Sequence, residues 1–302
     1  MKQNLNPFHV IDIPSGRREM PSLLNLYWGK HSIYGLLEVD VTVARQFIAN
    51  HKAETGETLS FTGYLAYCVA RAVDEDKSVQ AYLKGRRQLA VFDDVDVAMP
   101  IERQIGGSRA PMVHIIRRAN HKTFLEIHQE IRMVQAKQVP HHKGFAPGIL
   151  FFMRLPWPVP QLFGAILRVA TGRDPARTKV ALAGTVGVTA VGMFGLRSGW
   201  GLVPMVQSLG LIVGGIARKP AVVDDRIEPR DMLSLTVAFD HDIVDGAPAA
   251  RFVKRLVELI ESGYGLAEVD QLARTIVGVP DHPRPKVDFH PMVRQASTLR
   301  DG

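Results

Sequence analysis

Leu233–Ser262 reads LSLTVAFDHDIVDGAPAARFVKRLVELIES. Leu233, Leu235, Val237 and Phe239 alternate with Ser234, Thr236 and Ala238. That period of two is the pattern of a half-buried strand. Further on, Ala249, Phe252, Val253, Leu256, Val257 and Ile260 recur at three- and four-residue spacing, as on one face of a helix. The polar run Asp240-His241-Asp242 and the pair Asp245-Gly246 fall where the period changes, so they sit in the strand-to-helix turn. A turn held by two rigid elements is a common place for chemistry.

His241 at a strand end is a residue that exchanges protons near neutral pH. Asp245 follows four residues later, and Gly246 permits a tight turn. On the residues alone, the same string reads equally well as a surface turn whose second aspartate caps the following helix.

Working outward, the composition is that of a soluble globular chain. Of 302 residues, 46% are hydrophobic and 22% charged. The length fits one large domain or two small ones. The formal net charge of +7 admits nucleic acid, an anionic membrane surface or a polyanionic small molecule as partner. The basic pairs Arg17-Arg18, Arg86-Arg87 and Arg117-Arg118 are scattered, and neither zinc-ligand spacing nor an RNA-binding aromatic signature is present, which argues against nucleic acid and metal. A single cysteine, Cys68, forms no intramolecular disulfide, and the first residues lack an apolar core of signal-peptide length. A cytoplasmic location is expected. Phosphate-binding, dinucleotide-binding and nucleophile-elbow motifs are absent.

Gly35–Val43 alternates like a strand, and Thr42–Lys52 reads as a short helix. Thr58–Asp74 carries Phe61, Leu65, Cys68, Val69 and Ala72 at helical spacing, which makes Cys68 a buried thiol rather than a nucleophile. Leu89–Pro100 and Val113–Ile116 read as strand material, GGSRA at 106–110 as a turn, and Thr123–Gln135 as a helix. Val180–Val191 reads as a strand and Leu209–Ile216 as a buried strand. Residues 136–177 are apolar and rich in proline. Pro156, Pro158 and Pro160 break any helix, so this insertion does not meet the ~20 uninterrupted apolar residues of a membrane span. A helical hairpin packed on the core, or lining a substrate entrance, is favoured over peripheral membrane contact. His141 and His142 there read as surface loop.

Asp240–Phe252, DHDIVDGAPAARF, resembles the fingerprint D-H-R-x-x-D-G-A-x-x-A-R-F of the catalytic domain of dihydrolipoamide acyltransferases, components of 2-oxo acid dehydrogenase complexes. The related chloramphenicol acetyltransferases share His-x-x-x-Asp-Gly. LLEVD at 36–40, FLEIHQEI at 124–131 and GTVGVTAVG at 184–192 are similar to further family segments. Asp242 departs from the family arginine, Ala190 from its asparagine, and Thr189 stands at its serine.

The resemblance implies an α/β two-layer sandwich of the chloramphenicol acetyltransferase type, with a mixed β-sheet and helices on one side. It implies one catalytic domain over residues 1–265, interrupted by the insertion at 136–177 and followed by a polar tail at 266–302. It further implies a homotrimer with the active site between subunits. His241 would be the general base and Thr189 the oxyanion donor. Asp245 would brace the loop through Arg17, with Arg18 next in line, and Gly246 would support the turn. Coenzyme A or acyl-CoA would be a substrate, with an unknown acyl acceptor, no bound metal and no lipoyl group on this chain. Two functions follow: a CoA-dependent acyltransferase, or a non-catalytic trimeric scaffold.

Overall fold

The computed structural model describes residues 30–85, 87–105, 108–137, 180–181, 183–192 and 198–269. Arg17, Arg18, most of the 136–177 insertion with His141 and His142, and nearly all of the tail lie outside the described residues.

Six strands form the main sheet: β1 (Ser32–Asp40), β4 (Val97–Ile105), β5 (Ser108–Ile116), β6 (Val186–Ala190), β7 (Leu209–Val223) and β8 (Arg226–Asp240). Their spatial order is β1-β8-β7-β6-β4-β5. The pairs β7/β6 and β6/β4 are parallel and the other three antiparallel, so the sheet is mixed. A small hairpin, β2 (Tyr82–Lys84) with β3 (Gln88–Ala90), stands apart.

Among the described residues, four helices pack on one face of the sheet: α1 (Thr42–Thr55), α2 (Phe61–Glu75), α3 (Phe124–Ala136) and α4 (Gly246–Glu261). The chain marks where two of them begin. Ser60 caps α2 by accepting from the Gly63 N–H. Thr123 and Glu126 form a reciprocal capping box at α3. Helix α2 lies between α3 and α4 and is buried almost throughout, Cys68 included. Leu233, Leu235, Val237 and Phe239 of β8 join this helix-side core with Phe252, Leu256 and Ile260 of α4. The core also extends past Gly265, since Leu266 and Val269 are buried in it.

Two expectations need correction. From Leu233 to Asp240, strand β8 is buried on both faces: Ser234, Thr236 and Ala238 are nearly as enclosed as the apolar residues between them. The loop before β7 covers that second face. Gly199 N–H donates to Ser234 Oγ, the Trp200 indole donates to the Leu37 carbonyl, and the Met205 side chain lies where a Cβ on Gly210 would stand. Small residues on the strands let this loop approach, and a period of two cannot report a cover supplied from elsewhere in the chain. The strand expected over 180–191 is confined to Val186–Ala190, because its start is helical and Gly184, at φ 73°, turns the chain into the sheet. Leu209–Ile216 is instead the inner part of a longer strand. Beyond Met232 the β7–β8 pair leaves both neighbours and runs on as a two-stranded ribbon to the turn at Asp224-Asp225.

Candidate active site

Strand β8 ends at Asp240, and the next residues fold back on it. The N–H groups of Ile243 and Val244 both donate to the Asp240 carbonyl, at 3.0 Å each. Val244 is buried and Ile243 packs against the core. Turning these two inward sends His241, Asp242 and Asp245 outward.

His241 is fixed by its main chain, whose N–H donates to the His31 carbonyl at 2.7 Å and continues the β1/β8 ladder by one residue. Its imidazole is 45% exposed, with Nδ1 3.8 Å from Asp245 Oδ1. That separation is an ion-pair distance and too long for a hydrogen bond. An imidazole held by its backbone, with its ring open to solvent, can accept a proton from an incoming nucleophile.

Asp245 occupies the N-cap position of α4, but its side chain makes no cap hydrogen bond and is 87% exposed. The capping reading of this residue is therefore not realised. Gly246 takes no left-handed conformation, and a Cβ there would meet nothing within 4 Å. The turn is closed by the Asp240 carbonyl and does not depend on the glycine, contrary to expectation.

Thr189 lies elsewhere. Val186, Val188 and Ala190 of β6 face the helix-side core, which turns Gly187 and Thr189 to the opposite face. Thr189 pairs with Ile212, which pairs with Thr236. His241 is five residues along β8 from that level and two strands across. At ~3.4 Å per residue and ~4.8 Å per strand, the two residues are separated by roughly 17 Å along the strands and roughly 10 Å across them. One chain does not bring the expected base and oxyanion donor together.

Two residues around His241 escaped the sequence reading, namely Lys30 and His31. Lys30 Nζ lies 3.2 Å from Asp240 Oδ2 and donates to the Gln207 carbonyl at 3.0 Å. His31 Nδ1 is 2.8 Å from Asp242 Oδ1, so the aspartate standing at the family arginine has a partner on β1's approach. The available signal was a basic pair just before β1 and an Asp-His-Asp string at the end of β8, but only the antiparallel β1/β8 pairing joins them.

A family model described as 2-oxoacid dehydrogenases acyltransferase (catalytic domain) matches residues 17–141 and 177–267. The chain belongs to this family. The interruption between the two matched segments falls within the apolar insertion.

Among curated relatives, the lipoamide acyltransferase component of the branched-chain alpha-keto acid dehydrogenase complex of Bacillus subtilis is 26% identical over 233 residues, covering 75% of this chain and 46% of the relative. A dihydrolipoyllysine-residue acetyltransferase component of the pyruvate dehydrogenase complex from Zymomonas mobilis is 34% identical over 83 residues, 28% of this chain and 19% of that one. The chain thus spans less than half the length of these relatives.

Among solved structures, a probable dihydrolipoamide acetyltransferase from Listeria monocytogenes aligns with a TM-score of 0.60 at 20% identity, covering 84% of this chain and 94% of that one. The dihydrolipoamide acetyltransferase of Azotobacter vinelandii aligns at 0.60 and 18%, covering 87% and 98%. These likenesses establish the fold: an α/β sandwich with a mixed sheet and its helices on one side.

Proposed function

We propose that this chain is a CoA-dependent acyltransferase that moves an acyl group between a CoA thioester and a thiol, amine or hydroxyl acceptor. The observation that carries this reading is His241, held by its main chain at the end of β8 with an open imidazole, inside a family match that runs through strand, turn and helix. His241 takes the proton from the acceptor. The acceptor attacks the thioester carbonyl, and the carbonyl oxygen gathers negative charge. The Thr189 hydroxyl of a neighbouring copy donates to that oxygen, which accounts for the distance between the two residues within one chain. When the tetrahedral intermediate collapses, the C–S bond breaks and the CoA thiolate leaves with the proton that His241 carried. No covalent acyl-enzyme forms.

The assembly is a homotrimer with acyl-CoA bound between subunits, and the location is cytoplasmic. Asp245 lies beside the His241 ring as a solvated charge. The partners are acyl-CoA and an acyl acceptor, not nucleic acid, with peripheral membrane contact the less favoured alternative.

The test is turnover. Wild-type protein is assayed with a panel of acyl-CoAs against dihydrolipoamide, amines and alcohols, beside His241→Ala. General-base catalysis is worth about 10²–10⁴-fold, so the variant should lose at least about 10²-fold in kcat. Its melting temperature should hold, since the ring is half exposed. A variant keeping more than about a tenth of wild-type turnover removes His241 from the mechanism. A wild type inactive with every donor and acceptor points to the scaffold reading, which the aspartate at position 242 favours.

A further inference from the structure

Among the described residues, His241 has no side-chain tie to the body of the protein that would set its position, so its placement is read from the turn. The turn in turn rests on Asp240. This residue's N–H donates to the Ser208 carbonyl at 2.9 Å, and its carbonyl receives Ile243 and Val244. Its Oδ1 accepts the N–H of Asp242 at 3.2 Å, while Oδ2 faces Lys30 Nζ at 3.2 Å. The Asp240 side chain is 5% exposed and that of Lys30 15%. The ammonium also stands over the Tyr82 ring, 5.6 Å from its centre, and the Tyr82 hydroxyl is anchored on the Gly184 carbonyl.

Resting on the acyltransferase reading, we propose that Lys30 is a positioning residue for His241, acting through Asp240. A carboxylate this enclosed keeps its place through the cation beside it. A buried charge left unpaired is strongly destabilising, and the side chain relieves this by swinging to solvent. That escape breaks the Oδ1 bond to the Asp242 N–H, which spans the two residues flanking His241. Lys30 also precedes His31, whose carbonyl holds the His241 N–H. One strand end therefore supplies both ties, a side chain to residue 240 and a carbonyl to residue 241. A displacement of about 1 Å in a catalytic group can cost on the order of 10²-fold, so the tie matters to rate more than to substrate affinity.

The experiment compares Lys30→Met, Lys30→Arg and a stability control, Ile127→Val, which trims a buried methyl group in α3 remote from the turn. Three quantities are measured: kcat and KM for acyl-CoA, amide hydrogen exchange at Asp242, Ile243 and Val244 with Val237 as internal reference, and melting temperature. Lys30→Met should lower kcat at least about tenfold with KM little changed, and should speed exchange of the three turn amides about tenfold while Val237 stays protected. Lys30→Arg, which keeps a cation, should preserve most of both. Unchanged turn exchange in Lys30→Met overturns the proposal. So does faster exchange that includes Val237 to the same degree, or that Ile127→Val reproduces, because the effect would then be general loss of stability. If Lys30→Met does not fold, Lys30→Gln replaces it with the same expected outcomes. The exchange measurement needs no substrate, so a wild type without turnover removes the acyltransferase reading while leaving the tie between Lys30 and the turn separately decided.

Discussion

Nδ1 of His241 and Oδ1 of Asp245 stand 3.8 Å apart, with the aspartate almost wholly in solvent. An aspartate that polarised the imidazole would have to hydrogen-bond it and be shielded from water, and Asp245 does neither. Its influence on His241 is that of a nearby charge in high dielectric, which is small. Asp245→Asn should therefore lower kcat by less than about tenfold, far less than His241→Ala. Steady-state kinetics on the two variants side by side make the comparison. A loss in Asp245→Asn equal to that of His241→Ala would show that the carboxylate acts directly on the ring.

The distance between Thr189 and His241 leads to a complementation experiment. Thr189→Val keeps shape and removes the hydroxyl, so kcat should fall about 10²-fold with KM for acyl-CoA little changed, while Thr189→Ser keeps most activity. Co-expressed with His241→Ala chains, Thr189→Val chains should recover on the order of a quarter of wild-type turnover, because random assembly leaves about that share of interfaces with both groups intact. Mixed assemblies as inactive as either parent would place both groups in one chain's site, against the geometry.

Cys68 is enclosed in α2, and burial pushes its thiol up to about 12, with the Tyr64 hydroxyl contact acting the other way. Below that value the neutral thiol prevails, and thiolate is the reactive form. Raising the pH from 7 to 9 should therefore leave the native protein silent toward a disulfide reagent. One equivalent should react once denaturant is added. Reaction of the folded protein that climbs steeply over that range would mean the helix layer opens far more readily than its packing implies.

Gly184 carries the chain into β6 at φ 73°, and a Cβ there would lie 2.7 Å from the Asp96 carbonyl oxygen. Both effects oppose any other residue. Gly184→Ala should lose about 1–3 kcal/mol of stability, read as a shift in the urea midpoint at unchanged slope. A midpoint equal to wild type would mean that the turn relaxes without cost.

Much of this molecule could be read from the chain. The change of period inside Leu233–Ser262 located β8, the turn and α4, because amphipathic spacing is a local property. Apolar spacing likewise placed the helices expected over Thr58–Asp74 and Thr123–Gln135 within three residues of the starts that the Ser60 and Thr123 caps set. What stayed hidden was non-local. The cover over Thr236 comes from the Gly199–Met205 loop, and the partner of Asp240 comes from the far end of the chain, so no spacing within β8 could announce either. Gly246 shows the opposite failure, a residue whose local signal suggested a backbone role that the turn does not use. Thr189 fell in a strand as expected, yet only the sheet order revealed how far it stands from His241.

Strand β1 pairs with β8 from Ser32↔Asp240 to Asp40↔Met232, joining stretches about two hundred residues apart in the chain. Closing so long a loop is slow, and nothing is gained until both ends have been made. During synthesis the first strand must wait, unpaired along this edge, while nearly every other element emerges. His241 cannot take its place until that final pairing forms. A truncated or stalled chain therefore has no assembled centre, and the proposed reaction is open only to a polypeptide in which this long-range join has succeeded.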